Sequence, residues 1–167
     1  MKLKHKNTVA LFRVLPGFAV LAVMAAAVIP GRAADSLAAA AATQNPTLYK
    51  TVKVNGLDIF YREAGPTDAP TIVLLHGFPT SSHMFRNLIP ALADKYHVIA
   101  PGYPGYGRSS MPRVGDFKYT FDNLADVVEA FLQKLEIRRY SLYVMDYGAP
   151  VGFRIATRHP ERVQTLI

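Results

Sequence analysis

The sequence contains no cysteine and no tryptophan. Without cysteine there is no disulfide framework and no thiolate metal site. Acidic residues are missing from the first 34 positions, where Lys2, Lys4, Lys6, Arg13 and Arg32 lie. Those five are part of 19 basic residues; the other 14 stand against 12 acidic ones, so the formal charge of +7 falls to +2 beyond the leader. The basic excess therefore marks the N-terminus rather than a nucleic-acid-binding face, and no nucleic-acid partner is expected. Charged residues make up only 19% of the chain against 50% hydrophobic ones, a composition that excludes intrinsic disorder and suits one globular domain of 167 residues.

The leader has the order of a secretory signal. A basic segment precedes an apolar run from Val14 to Ile29, and Pro30-Gly31-Arg32-Ala33-Ala34 supplies small residues for cleavage. The run is about 16 residues long and broken by Pro16-Gly17, short of the roughly 20 that a spanning helix needs. We read residues 1–33 as a signal peptide, 34–48 as an Ala-rich linker and 49–167 as the folded domain. The expected location is periplasmic or secreted, with no stable membrane insertion after cleavage; an uncleaved anchor is the alternative.

From Tyr49 the patterning becomes that of a fold. Thr51 to Val54 and Leu57 to Tyr61 alternate around Asn55-Gly56, a pair that tolerates the positive φ angles of a two-residue hairpin. Thr71 to Leu75, Tyr96 to Ala100 and Tyr140 to Met145 are continuous apolar runs, the pattern of strands covered on both faces. An amphipathic stretch spans His83 to Ala93. Thr120 is placed to cap a helix to about Leu135, with Leu124, Val127, Val128, Phe131 and Leu135 on one face. A further helix follows Asp146-Tyr147-Gly148 and ends near Arg158-His159-Pro160, and Val163 to Ile167 begins another strand. Strands alternating with helices predict an α/β fold: a mostly parallel sheet with an antiparallel N-terminal hairpin and helices on both faces.

In such sheets ligands bind beyond the carboxyl ends of the strands. Three junctions lie there: His76-Gly77-Phe78-Pro79, the Gly- and Pro-rich segment Pro101 to Ser109, and Asp146-Tyr147-Gly148. At the third, a sharp strand-to-helix turn flanked by Gly148, Ala149 and Gly152 can hold one side chain above the sheet at a helix N-terminus. A carboxylate is stabilised there by the helix dipole and free N–H groups, and can attack carbon to form an ester. The plain alternative is that Asp146 only caps the helix.

Together the three junctions resemble the α/β-hydrolase superfamily, and within it the epoxide hydrolase and haloalkane dehalogenase branch with an Asp nucleophile. His76-Gly77-Phe78-Pro79 resembles the H-G-x-P oxyanion segment, whose proline usually follows a cis peptide. Gly105-Tyr106-Gly107-Arg108-Ser109 resembles the small-x-small-x-Ser/Thr motif, and Val144 to Gly148 the nucleophile elbow. The resemblance implies that Asp146 is the nucleophile and that the backbone N–H groups of Phe78 and Tyr147 form the oxyanion hole. It gives His76, Gly77, Pro79, Gly105, Gly107, Ser109 and Gly148 structural roles. Val144 and Gly102 depart from the pattern, standing where relatives commonly have glycine and Asp. The implied substrate is a small epoxide or organohalide, with water as co-substrate and no metal or organic cofactor.

Dehalogenases of this kind generally hold the departing halide with an Asn after H-G and a Trp after the nucleophile. Phe78 and Tyr147 occupy those places, so an epoxide hydrolase is the first expectation, and a haloalkane or haloacid dehalogenase-like hydrolase the alternative. A non-catalytic secreted remnant or partner-chain module is the alternative of another class. The family's catalytic histidine follows a cap domain, and none of His5, His76, His83, His97 and His159 does so. The reading is of an N-terminal portion that ends before its cap and base, poorly soluble alone and able at most to esterify Asp146 once.

Overall fold

The computed structural model describes residues 45–167. The signal peptide read over 1–33 and most of the linker read over 34–48 lie outside the described residues. The sheet begins with β1 (Leu48–Val54) and β2 (Leu57–Ala64), joined at Asn55-Gly56, where both residues have positive φ, 50° and 82°. It continues through β3 (Thr71–Leu75), β4 (His97–Pro101), β5 (Tyr140–Val144) and β6 (Val163–Leu166). The spatial order is β1-β2-β4-β3-β5-β6. β1 pairs with β2 and β2 with β4 antiparallel, whereas β4, β3, β5 and β6 run parallel.

The helices are α1 (Leu88–Leu92), α2 (Phe121–Lys134) and α3 (Gly148–Arg158), with a 3-10 turn at Ser82–Phe85. The Thr120 side chain accepts the N–H of Asn123 and caps α2 as the sequence suggests. The amphipathic stretch His83 to Ala93 is not one helix but the 3-10 turn followed by the five-residue α1. Pro90 is the reason. It lacks an N–H, so it is tolerated only within a helix's first turn, and α1 must start just before it.

Period-two alternation divides the sheet's side chains between two cores. Ile59, Tyr61, Val73, Leu75, Ile99 and Leu142 face α2 and α3. Ala64, Ile72, Leu74, Val98 and Ala100 face the 3-10 turn and α1, through Phe85 and Ile89. Val73, Leu74 and Leu75 are all fully buried, which requires cover on both faces and accounts for their uninterrupted apolar run. Arg154 and Arg158 of α3 reach Asp122 and Asp126 of α2 at 2.7 Å; these pairs are exposed and add little to stability. Among the described residues no helix is long and apolar enough to cross a membrane.

A partly buried charge cluster ties the strand ends remote from the loops described below. Glu63 accepts from Lys50 Nζ at 2.5 Å and from His97 Nε2 at 2.9 Å. Burial pushes the Glu63 carboxyl up, but the hydrogen bonds from Lys50 and His97 outweigh it and hold the group below the ordinary carboxylate range. A carboxyl lowered in the folded state stabilises the fold above its unfolded pKa, and that contribution is lost as pH falls through the folded value. The melting temperature of Glu63→Gln should thus lie below wild type at pH 7, with the gap closing on acidification below about 4.5. A gap unchanged from pH 7 to pH 3 in thermal scans would show that the ionised cluster is not its source.

Candidate active site

The register Leu75↔Val144 aligns the carboxyl ends of the parallel neighbours β3 and β5. The loops that leave them, His76-Gly77-Phe78 and Met145-Asp146-Tyr147, are therefore side by side. Asp146 takes φ +48°, a left-handed conformation that Asp tolerates better than most residues but that stores strain. The turn closes through Gly148 N–H to Met145 O at 2.7 Å and Ala149 N–H to Asp146 O at 3.0 Å.

The carboxylate does not act as a helix cap. A capping Asp accepts the N–H of the second or third helical residue. Asp146 Oδ1 instead accepts the N–H of Phe78, from the neighbouring loop, at 2.8 Å and that of Tyr147 at 2.7 Å. Oδ2 has no hydrogen bond among the described residues, and the residue is exposed. One carboxylate oxygen is thus fixed between two backbone donors while the other is left without a hydrogen-bond partner among the described residues. The two donors are the groups singled out in the sequence, and they converge on Asp146 itself.

Close backbone approach makes this possible. A Cβ at Gly77 would lie 2.5 Å from Asp146 Cβ, and one at Gly148 only 2.3 Å from the carbonyl oxygen of Leu75. Val144, where relatives commonly have glycine, is accommodated from the other side: a Cβ at Gly152 would meet Val144 Cγ1 at 2.4 Å. The Phe78–Pro79 peptide is cis.

His76 is fully buried between these loops and the second junction, Pro101 to Ser109. Its Nδ1 lies 3.1 Å from Gly77 O and its Nε2 accepts the N–H of Tyr103 at 3.3 Å, which fixes a neutral tautomer protonated on Nδ1. Burial lowers its pKa, and the Gly77 carbonyl opposes that shift. His76 therefore ties one loop to another and makes no hydrogen bond to Asp146. Gly105 and Gly107 adopt positive φ in the second junction. Ser109 holds that junction in place: its Oγ donates to Gly102 O at 2.8 Å and accepts the N–H of Phe60 at 3.0 Å. Ser109 thus fixes the loop through backbone groups, and a Cβ at Gly102 would meet Ser109 Oγ at 3.1 Å.

Beside the two donors opens a cavity of about 960 Å³ whose wall includes Phe78, Tyr147, Phe121, Met111 and Tyr106. Phe121 packs edge-on against Tyr147 with ring centres 5.0 Å apart, and Phe78 lies 5.8 Å from Tyr147. Tyr106 has the sequence signature of loop packing, yet it borders this cavity. Burial first, then the charges of Tyr147 and Asp146, push its phenol above the ordinary range. Phe121 had no signal beyond its place at the start of an amphipathic helix. Among the described residues no cluster of His, Asp and Glu side chains suited to a metal ion is present.

Residues 70–167 match the family described as alpha/beta hydrolase fold. The chain belongs to that family. A hydrolase of Saccharomyces cerevisiae without an assigned substrate is 48% identical over 113 residues, 68% of this chain and 38% of that protein. A haloalkane dehalogenase of Mycobacterium marinum is 39% identical over 113 residues, 66% of this chain and 37% of that enzyme. Among solved structures, a loop variant of a haloalkane dehalogenase from Bradyrhizobium elkanii superposes with a TM-score of 0.68 at 38% identity, over 72% of this chain and 39% of that one. This alpha/beta hydrolase chain thus spans under two fifths of the curated relatives' length, and its likeness is to the dehalogenase side of the branch.

The Gly148 contact gives a direct test. The backbone carbonyl of Leu75 cannot retreat without disturbing β3, so Gly148→Ala should destabilise the chain by about 1–3 kcal/mol in urea denaturation. It should also move the amide resonances of Phe78 and Tyr147. Gly56→Ala, where a Cβ meets nothing within 4 Å, isolates the cost of positive φ alone. Equal losses in the two variants with unmoved resonances would mean that contact with Leu75 does not hold the turn.

Proposed function

We propose that this chain carries the nucleophile of a hydrolase acting on small alkyl substrates, with Asp146 attacking carbon in the manner of a haloalkane dehalogenase. The observation that supports it is the asymmetric carboxylate: Oδ1 held by the N–H groups of Phe78 and Tyr147, Oδ2 without a hydrogen-bond partner among the described residues. Oδ2 attacks the substrate carbon, the carbon–halogen bond breaks, and halide leaves with the bonding electron pair. The product is an alkyl ester whose carbonyl oxygen is Oδ1. When water attacks that carbonyl, negative charge develops on an oxygen already placed between two donors, which need no reorganisation to stabilise it. Collapse releases the alcohol and regenerates Asp146, with a base taking the water's proton.

The dehalogenase relatives favour a halide as leaving group. Phe78 and Tyr147 favour a second reading, since neither offers the Asn amide or indole N–H that dehalogenases generally present to halide. An epoxide opened by the same attack retains its oxygen in the product and needs a proton donor rather than a halide cradle. The basic and apolar leader supports placing the hydrolase in the periplasm or outside the cell.

The described histidines all have other partners. His76 bonds Gly77 and Tyr103, His83 lies against Arg62, His97 holds Glu63, and His159 sits beside Glu129 and Glu161. The 167-residue chain by itself should therefore form the ester without hydrolysing it. Incubated with 1-bromobutane, it should release about one equivalent of bromide and gain one butyl group, which peptide mass mapping places on Asp146; Asp146→Ala should gain none. Modification by styrene oxide but not by 1-bromobutane would transfer the assignment to epoxides. An unmodified Asp146 with both reagents in folded protein would sink the nucleophile, and sustained alcohol release would sink the single turnover.

A further inference from the structure

Beyond the nucleophile turn, a second cavity of about 490 Å³ is walled by Arg62, Arg108, Phe60, Ser81, Ser82 and His83, among others. It lies between β2, the 3-10 turn and the loop after β4. Alternation on β2 puts Glu63 on one face, where Lys50 and His97 satisfy it, and Arg62 on the other. Arg62 is 9% exposed. Its Nη1 donates to Ser82 Oγ at 2.5 Å and its Nη2 lies 3.3 Å from His83 Nδ1, but its Nε is buried with no partner. Among the described residues neither Arg62 nor Arg108 forms a salt bridge, and no Asp or Glu lines the cavity.

The two cations share an aromatic neighbour and line the same cavity. The guanidinium carbons of Arg62 and Arg108 lie 5.3 and 5.5 Å from the centre of the same Phe60 ring, and Arg62 is also 5.4 Å from that of Tyr49. Burial lowers the Arg62 pKa, Tyr49 opposes that shift, and the Arg108 charge adds to it. Stacking on aromatic faces offsets part of the cost of burying charge. It does not supply the anion that a buried arginine almost always has. A buried donor left unmet keeps its full desolvation penalty, and the penalty is larger when the donor is charged.

We propose that this cavity is a binding site for a small oxyanion, a carboxylate or phosphate group held between Arg62 and Arg108 with the hydroxyls of Ser81 and Ser82 beside it. Guanidinium suits such groups because its parallel N–H bonds match two oxygens at once. The site is separate from Asp146 and does not rest on its chemistry. Tyr106 lines both cavities, so it forms the wall between them.

The test is a titration of the whole chain with sodium phosphate and, separately, sodium acetate, at ionic strength held constant with sodium chloride. The readout is the Arg62 Nε–H resonance. Saturable movement of that resonance is expected with at least one anion, and the stronger of the two distinguishes a phosphate from a carboxylate ligand. Arg108 is exposed, so Arg108→Gln should fold normally and weaken binding at least tenfold. Asp146→Ala should bind as wild type does, which keeps this outcome distinct from any failure of the nucleophile. Linear, non-saturating shifts with both anions, or equal affinity in Arg108→Gln, would overturn the proposal.

Discussion

The carboxylate of Asp146, caught between the N–H groups of Phe78 and Tyr147, is the contact on which the rest of the arrangement depends. A residue at φ +48° costs about 1–3 kcal/mol, and it persists only where its surroundings leave no alternative. Here the constraint comes from the sheet. β3 and β5 are parallel neighbours in register at their carboxyl ends, so the two loops must leave together. Gly148 lets α3 begin directly against the Leu75 carbonyl, and Gly77 lets the first loop pass over Asp146 Cβ. Each glycine removes a side chain that would separate the donors from the acceptor. The strain is therefore fixed by two strands, a helix start and two close approaches, none of which is itself a reacting group.

Much of this was legible in the chain because it rests on local rules. Asn55-Gly56 states its turn, Thr120 its cap, and the apolar runs their double cover. What escaped was one local signal, a proline, and several non-local contacts. Pro90 broke an amphipathic stretch whose spacing alone suggested continuity. The motif marks Ser109, but not that its hydroxyl joins the Gly102 carbonyl seven residues back to the Phe60 N–H on another strand. Tyr106 could be recognised as aromatic and loop-borne, but not as the wall shared by two cavities. Asp146 taken alone reads as a helix cap, and only its company with the other two junctions made it a candidate nucleophile. The direction of its carboxylate, away from the first helical N–H groups and toward another loop, argues against the capping role.

The leaving group is a different kind of question. In the proposed reaction, attack by Oδ2 would proceed in the same way on a carbon bearing halogen and on an epoxide carbon, so the Asp146 turn is silent about which one departs. The oxyanion hole is silent too, since backbone N–H groups supply it whatever the side chains at 78 and 147. Those side chains are the informative positions. They argue against a halide cradle of the usual Asn and Trp composition, while the relatives argue for dehalogenase ancestry. Both statements can hold at once: descent preserves the fold and the turn, and the leaving-group contacts are free to diverge because the scaffold does not need them.

The same strand shows how this fold treats buried charge. Residues 62 and 63 of β2 carry opposite charges into opposite cores, and a sheet permits this because adjacent side chains never share a face. Glu63 is resolved conventionally, by a lysine on the neighbouring β1 and a histidine at the start of β4. Arg62 has hydroxyl, imidazole and aromatic partners but no carboxylate, and a second arginine is nearby. If position 62 served packing alone, an apolar residue on Phe60's face would do so without desolvating a cation. A buried ion stabilises poorly compared with well-packed hydrophobic side chains. Retaining a charge there, with a cavity rather than a core in front of it, is an arrangement that makes energetic sense once an anion completes it.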